Sequence, residues 1–142
     1  MRSARGSLLL ALALGACAAA PVVPPTAAAT PLPPLAGTRW AAPVVPGSDG
    51  HGTPRLEFAE GGVLHGYTGC NMLSGHWHED GNQIRFSELV VTKRFCVGVG
   101  SEVEKQVLAA LSAQSLGRRE GGRLIVESPQ GARFEYTPAA AA

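Results

Sequence analysis

Two stretches of this sequence decide the fold: Tyr67-Thr68-Gly69-Cys70-Asn71-Met72-Leu73-Ser74-Gly75-His76-Trp77 and Thr92-Lys93-Arg94-Phe95-Cys96. Each stretch contains a cysteine next to an apolar, β-prone run, and the two cysteines are 26 positions apart. Glycines at positions 66, 69 and 75 allow the chain to bend where a side chain would obstruct it. The pattern predicts a β-hairpin that is cross-linked to a neighbouring strand, with the rest of the domain packed around it.

The N-terminus has the features of a bacterial export signal. Arg2 and Arg5 precede a Leu/Ala run over residues 7–14, which is too short to span a bilayer as a stable helix. The run ends in Leu14-Gly15-Ala16-Cys17, which resembles a lipobox, the signal in which the cysteine receives a lipid and the peptide is cut before it. We therefore assign residues 1–16 to a lipoprotein signal peptide and expect lipidation of Cys17. The alternative is a soluble secreted protein that is cut elsewhere, for instance after Ala20.

Charge and composition restrict the partners of the mature chain. Removal of the signal leaves 10 basic and 11 acidic residues, a formal charge of −1. A near-neutral domain has neither the basic surface that nucleic acids require nor a polybasic segment for membranes, so we expect no nucleic-acid partner. Several lipid chains on one residue are enough to hold a protein on a bilayer, and we expect that mode of attachment here.

Residues 17–35 form the lipidated N-terminus and a Pro/Ala-rich tether, because proline-rich stretches without charge stay extended. Ala18 and Ala19 follow Cys17, where an aspartate would resemble a signal for inner-membrane retention. We expect a lipid-anchored protein of the bacterial cell envelope that faces the periplasm, on the outer membrane if the cell has one.

If Cys17 carries lipid, Cys70 and Cys96 remain as an even pair in an oxidising compartment. A disulfide that closes a loop of this size would stabilise the fold by roughly 3–4 kcal/mol. Two buried free thiols are one alternative. A redox pair is another, although neither cysteine lies in a Cys-x-x-Cys motif or at a predicted helix N-terminus.

Short β-prone runs separated by turn signals predict seven or eight antiparallel strands over residues 36–138, followed by a disordered tail at 139–142. Among these runs, Gln83–Ser87 alternates like a half-buried strand, and Leu89–Cys96 is apolar enough to be a buried one. The fold class is therefore mainly β: a small, partly open antiparallel barrel with one short helix.

The helix is predicted over Glu102–Ala113. Ser101 and Glu104 have the spacing of a capping box, in which each would bond the backbone of the other. The packing face of the helix follows from the spacing of four apolar residues, Val103, Val107, Leu108 and Leu111.

Taken together, these motifs resemble the META domain family, which includes heat-shock-inducible HslJ-like proteins of bacterial envelopes. The resemblance covers residues 35–137 and rests on Leu35-Ala36-Gly37-Thr38-Arg39-Trp40, Leu56-Glu57-Phe58, Gly69-Cys70-Asn71, Gly75, and Thr92 with Cys96. Trp77 and Phe95 stand where the family often has tyrosine and alanine. The resemblance implies a β-rich domain that is frequently presented as a lipoprotein, with links to envelope stress and antibiotic tolerance. It implies no settled activity.

Two histidines are the best candidates for a metal site. His76 and His78 are two positions apart on a predicted strand, so their side chains share a face, and His65, Glu79 and Asp80 are potential neighbours. Imidazoles with a carboxylate hold catalytic zinc, which makes a metal-dependent hydrolase one hypothesis. No third fixed ligand is evident in the sequence, and we expect solvated histidines, with no metal and no cofactor.

We expect a monomeric, non-enzymatic protein that supports envelope integrity or stress tolerance through an envelope partner. Asn71 is expected to serve the backbone conformation of its corner. The alternative function is a carrier that holds a small apolar ligand inside the barrel. The residues that would line such a site are those that would otherwise form a filled core: Leu56, Phe58, Trp77, Phe86, Val107 and Tyr136.

Overall fold

A computed structural model of the chain describes residues 32–44 and 52–140. The predicted signal peptide, the predicted lipidation site Cys17 and residues 18–31 of the predicted tether lie outside the described residues, as do residues 45–51 and 141–142. Within the described part of the chain, no helix has the length and hydropathy needed to cross a membrane.

Eight antiparallel strands close into a barrel in which the strands pair in chain order and the last pairs with the first. The strands are β1 (Thr38–Ala41), β2 (Arg55–Phe58), β3 (Val63–Tyr67), β4 (Met72–Asp80), β5 (Gln83–Val91), β6 (Leu116–Glu120), β7 (Arg123–Glu127) and β8 (Arg133–Pro138). One α-helix, α1 (Val99–Ala110), lies between β5 and β6, and a 3₁₀ turn over Glu60–Gly62 joins β2 to β3. The predicted mainly-β barrel with one helix is confirmed, and it is closed.

The barrel interior is filled by side chains that alternate inward along the strands. In β2, Leu56 and Phe58 are buried whereas Arg55 is exposed, as a period of two requires. Burial also raises the pKa of the Tyr136 phenol above its ordinary value of 10.0. The core forms one cluster, made by Leu35, Trp40, Ala42, Leu56, Phe58, Leu64, Leu73, Ile84, Phe86, Leu111, Leu124, Val126 and Tyr136.

The two ends of the barrel are covered by different segments. At one end, which we call the tether end, the Pro33 carbonyl accepts a hydrogen bond from Arg119 beside the β6–β7 turn. At the other, which we call the helix end, the corner of residues 68–71 between β3 and β4 contacts α1 and the segment that follows β5. β4 runs from the helix end to the tether end over nine residues. Its eight rises span roughly 26 Å along the strand, and the tilt of barrel strands reduces this to roughly 20 Å between the two ends.

The prediction of a buried strand over Leu89–Cys96 is wrong. β5 continues through Glu88, whose φ of 52° accompanies a register shift opposite Ser74 and His76, and it ends at Val91. Residues 92–98, which we call the Phe95 loop, leave the barrel, because Cys96 is drawn toward the corner at Cys70 by a disulfide. This segment contains Lys93 and Arg94, and its apolar residues Phe95 and Val97 are exposed, so it is a surface loop and not a buried strand.

The predicted helix exists, but its start and its cap differ from the prediction. α1 begins at Val99 after Gly98, and no side chain caps it. Ser101 already lies inside the first turn, since its backbone N–H donates to the Gly98 carbonyl at 3.1 Å. The buried residues of α1 are Val103, Val107 and Ala110, with Leu111 buried just after it, whereas Leu108 is exposed.

Candidate functional site

The corner at residues 68–71 is a tight turn that α1 approaches closely. Gly69 has a φ of 108°, and a Cβ atom there would lie 3.0 Å from the Gly52 carbonyl oxygen and 3.2 Å from Val103 Cγ1. The Thr68 hydroxyl accepts the backbone N–H of Asn71 at 2.9 Å and closes the turn. Glycine is required at position 69 because both its backbone conformation and the packed helix exclude a side chain.

A disulfide joins Cys70 in this corner to Cys96 in the Phe95 loop, with 6.1 Å between the Cα atoms. That separation is within the range of native disulfides. The predicted pairing is confirmed, and the alternative of two free thiols is wrong. Cys70 is buried and Cys96 is half-buried.

Asn71 connects the corner, the loop and the helix through its side chain. Its Oδ1 atom accepts the backbone N–H of Arg94 at 2.6 Å and the Thr92 hydroxyl at 2.9 Å. Its Nδ2 atom donates to the Glu104 carboxylate at 3.0 and 3.2 Å. Asn71 is 4% exposed and is not in the left-handed region, so besides its place in the corner its side chain links the loop to the helix.

Glu104 and Thr92 take part in this network in ways that the sequence motifs did not indicate. Glu104 turns away from Ser101 and accepts the Thr68 hydroxyl at 2.7 Å as well as the Asn71 amide. The predicted capping box is therefore wrong, because the carboxylate is used to hold α1 on the corner. The Thr92 hydroxyl also accepts the Met72 backbone N–H at 3.1 Å, which fixes the start of the loop to β4.

Gly75, the remaining motif residue, lies in β4 where the register with β5 shifts. A Cβ atom at this position would lie 2.9 Å from the Ser87 carbonyl oxygen and 2.7 Å from Leu89 Cδ2. The glycine thus permits the irregular pairing from which β5 leads into the Phe95 loop.

The Phe95 loop directs one cation inward and its apolar side chains outward. Arg94 turns back, so that its Nη2 atom donates to the Cys70 carbonyl at 2.7 Å. Phe95 is 93% exposed and Val97 is 75% exposed, and Lys93 is also exposed. Leu108 of α1 lies near the loop and extends this apolar surface. The sequence predicted that Phe95 lies inside a strand. Only the occurrence of phenylalanine where the family often has alanine set this residue apart.

The histidines considered as zinc ligands lie on the outside of β4. His76 Nδ1 is 3.0 Å from Glu88 Oε2, and His78 is exposed. Among residues 32–44 and 52–140, no three His, Cys, Asp or Glu side chains come close enough to share a metal ion. The geometry thus pairs His76 with one carboxylate and does not build the site that the hydrolase hypothesis needs.

The residues proposed to line a carrier site pack against one another in the core or on α1. Phe58 and Trp77 form an edge-to-face pair with 5.5 Å between ring centroids. Leu56, Phe86 and Tyr136 belong to the same buried cluster, and Val107 is buried on α1. A ligand inside the barrel would have to displace these side chains.

A groove of about 530 Å³ lies at the tether end, and no sequence motif indicated it. Its lining includes Leu32, Pro34, Trp40 and Pro138. Arg119, whose side chain is 9% exposed, forms its edge and contacts both the Pro33 carbonyl and the Glu79 carboxylate. The start of the described chain is therefore fastened to the barrel at this end.

Comparisons with known proteins agree with this architecture. The family model of the META domain matches residues 33–141. An NMR structure of a protein from Burkholderia xenovorans is 20% identical, with a TM-score of 0.57, over 85% of this chain and 99% of that one. A second NMR structure is 17% identical, with a TM-score of 0.55, over 71% of this chain and 88% of that one. Both likenesses concern the fold alone. A search of curated proteins finds no significant match to this chain.

Proposed function

Because the chain belongs to the META domain family, we propose that it is a lipid-anchored, non-enzymatic binding module of the bacterial cell envelope. The observation that carries the proposal is the Phe95 loop, which is fixed to the barrel by a disulfide and by Asn71 yet holds Phe95 out to solvent. The barrel interior is filled by its own side chains, so the outer surface is where this domain has unused contact area.

The sequence supports the anchored part of the proposal. Leu14-Gly15-Ala16-Cys17 resembles a lipobox, and the residues that follow are rich in proline and alanine. An extended tether of the 14 residues between Cys17 and Leu32 would reach roughly 45 Å at about 3.1 Å per residue. In this proposal the lipid holds the chain on a membrane, the tether spaces the barrel from it, and the protein supports envelope integrity under heat or antibiotic stress.

Palmitate labelling tests the anchor. We expect label on the wild-type chain and none on Cys17→Ser, because the thiol of residue 17 is the acceptor. The matched control is Cys70→Ser/Cys96→Ser, which removes two other sulfur atoms and should keep the label. Equal labelling of the wild type and Cys17→Ser, or label on neither, would contradict the anchored proposal.

Survival under stress tests the role. Cells that lack the gene should be more sensitive to heat or to a hydrophobic antibiotic. The wild-type gene should restore tolerance, and Cys17→Ser should restore less, because it releases the protein from the membrane. Unchanged survival of the deletion strain under all of these stresses would contradict the proposed role.

A further inference from the structure

We propose that the Phe95 loop is a protein-docking surface, whose partner is an envelope protein with an apolar pocket rimmed by carboxylates. The pocket would receive Phe95 and Val97, and the carboxylates would face Lys93. This inference deepens the proposed function and rests on it, in that it treats the chain as a binding module of the envelope.

The Phe95 loop is held rigidly against the corner. The disulfide fixes Cys96, the Asn71 side chain accepts the Arg94 backbone N–H at 2.6 Å, and the Arg94 side chain donates to the corner at 2.7 Å. An aromatic side chain on a loop that is already ordered loses little conformational freedom when it is bound. Large aromatic residues of this kind dominate the affinity of many protein interfaces.

An apolar surface surrounds Phe95. Phe95 is 93% exposed and Val97 is 75% exposed, and Val99 and Leu108 add exposed apolar area where α1 meets the loop. Single exposed apolar residues are common, but a group of them on one fixed segment indicates an interaction site. The shape is that of a projecting residue with an apolar base, which fits a concave partner.

The exposed charge on the Phe95 loop is positive. Lys93 is exposed, and the two acidic residues of α1 nearby are already engaged. Glu104 accepts the Thr68 hydroxyl and the Asn71 amide, and Glu102 lies 2.8 Å from Lys105. Within the described part of the chain, Lys93 forms no ion pair and is exposed, whereas the guanidinium of Arg94 is turned to the Cys70 carbonyl. Carboxylates on the rim of the partner would complement it.

The Phe95 loop lies at the opposite end of the barrel from the start of the described chain. The described chain begins at the tether end, where Arg119 holds Pro33, whereas the Phe95 loop is at the helix end. The length and tilt of β4 separate the two ends by roughly 20 Å. The part of the described chain that is nearest in sequence to the predicted anchor therefore leaves the barrel at the end away from Phe95.

Photo-crosslinking in living cells tests the proposal on the full chain. Benzoylphenylalanine at position 97 should give one discrete protein adduct, which mass spectrometry identifies. Phe95→Ser should lower the yield of that adduct at least tenfold, and Lys93→Glu should lower it severalfold. The matched control is Leu116→Ser, because Leu116 is 42% exposed and lies away from the loop on β6. Leu116→Ser should leave the adduct yield unchanged. It should also leave the affinity for the purified partner unchanged, whereas Phe95→Ser should weaken that affinity at least tenfold.

Four results would overturn the docking proposal: adducts with lipid alone, an adduct with a second copy of this chain, an adduct that Phe95→Ser leaves intact, or no adduct. The same crosslinking in the Cys17→Ser background separates this proposal from the anchor. An adduct that persists while palmitate labelling fails would refute the anchor and support docking. A labelled chain without a protein adduct would refute docking alone.

Discussion

At the scale of single residues, Asn71 links three parts of the molecule. Its amide accepts from Arg94 and Thr92 of the Phe95 loop and donates to Glu104 of α1. The family motif singled out Asn71 and Thr92, but it did not say what their side chains do. Sequence reasoning assigned Glu104 to a cap three residues away, since a local pattern carries no information about a partner 33 positions distant.

Asn71→Ala should lower the free energy of unfolding by about 2–3 kcal/mol, because it leaves the Glu104 carboxylate and the Arg94 N–H without their partner. Urea unfolding measures this loss of stability, with Asn71→Ala made in the Cys17→Ser chain. Gln106→Ala, an exposed change on α1, is the control and should shift stability by less than about 0.5 kcal/mol. Equal stability of Asn71→Ala and the control would show that this network does not stabilise the fold.

Tyr136 should make the protein sensitive to alkaline pH. Burial raises the pKa of its phenol, so above pH 10 the unfolded chain loses a proton that the folded chain keeps. The folded state is therefore favoured fully below pH 10 and loses stability as the pH rises, by at most about 1.4 kcal/mol per pH unit from this group. Urea unfolding of wild type and Tyr136→Phe between pH 8 and pH 11 should show the wild type declining more steeply above pH 10. Parallel curves would contradict the assignment.

At the scale of elements, the strands were easier to predict than the segment that joins β5 to α1. Alternation located the first part of β5 at Gln83–Ser87, because one face of this strand is buried. The apolar run that begins at Leu89 predicted a strand through Cys96, but the disulfide places residues 92–98 outside the sheet. Composition cannot distinguish a buried apolar segment from one that is held in solvent by a cross-link.

The disulfide should protect the Phe95 loop from trypsin, which cuts after Lys93 and Arg94. In Cys70→Ala/Cys96→Ala, we expect cleavage there at least tenfold faster and a loss of roughly 3–4 kcal/mol of stability. Mass spectrometry of limited digests measures the cleavage rate at these two bonds.

The control for trypsin cleavage is a core variant with the disulfide intact, Leu64→Ala, because it lowers global stability to a similar extent. If both variants were cut at the same rate in the loop, global unfolding would account for the cleavage, and the local role of the disulfide would be contradicted.

At the scale of the whole molecule, the barrel is closed and filled. The sequence supported the barrel class and the strand number, whereas closure depends on β1 meeting β8 across 98 positions, from Trp40 to Pro138. No local pattern specifies such a contact. The groove at the tether end arises in the same way, from segments that are far apart in the sequence.

Leu64→Ala should destabilise the barrel by about 2–5 kcal/mol, since Leu64 is fully buried and its neighbours are held by closed strands. Leu116→Ala, at a partly exposed position, should lose less than about 1 kcal/mol. Urea unfolding measures the loss of unfolding free energy in both variants, and the slope of that free energy against urea concentration should be unchanged. A small loss at Leu64 would indicate spare room inside the barrel and would favour the carrier hypothesis.

The pairing of β1 has a mechanical consequence for a domain that is pulled from its N-terminus. Tension along the chain passes the contact of Pro33 with Arg119 and the buried Leu35, and then reaches β1 as the first strand. This strand is held by four residue pairs to β2 and by two to β8. It should detach before the other seven strands are loaded. The chain between Cys70 and Cys96 cannot lengthen while the disulfide is intact, which withholds roughly 90 Å of extension at about 3.5 Å per residue. Under load, the segment that carries Phe95 would thus keep its covalent link to the corner after the first strand has been drawn out.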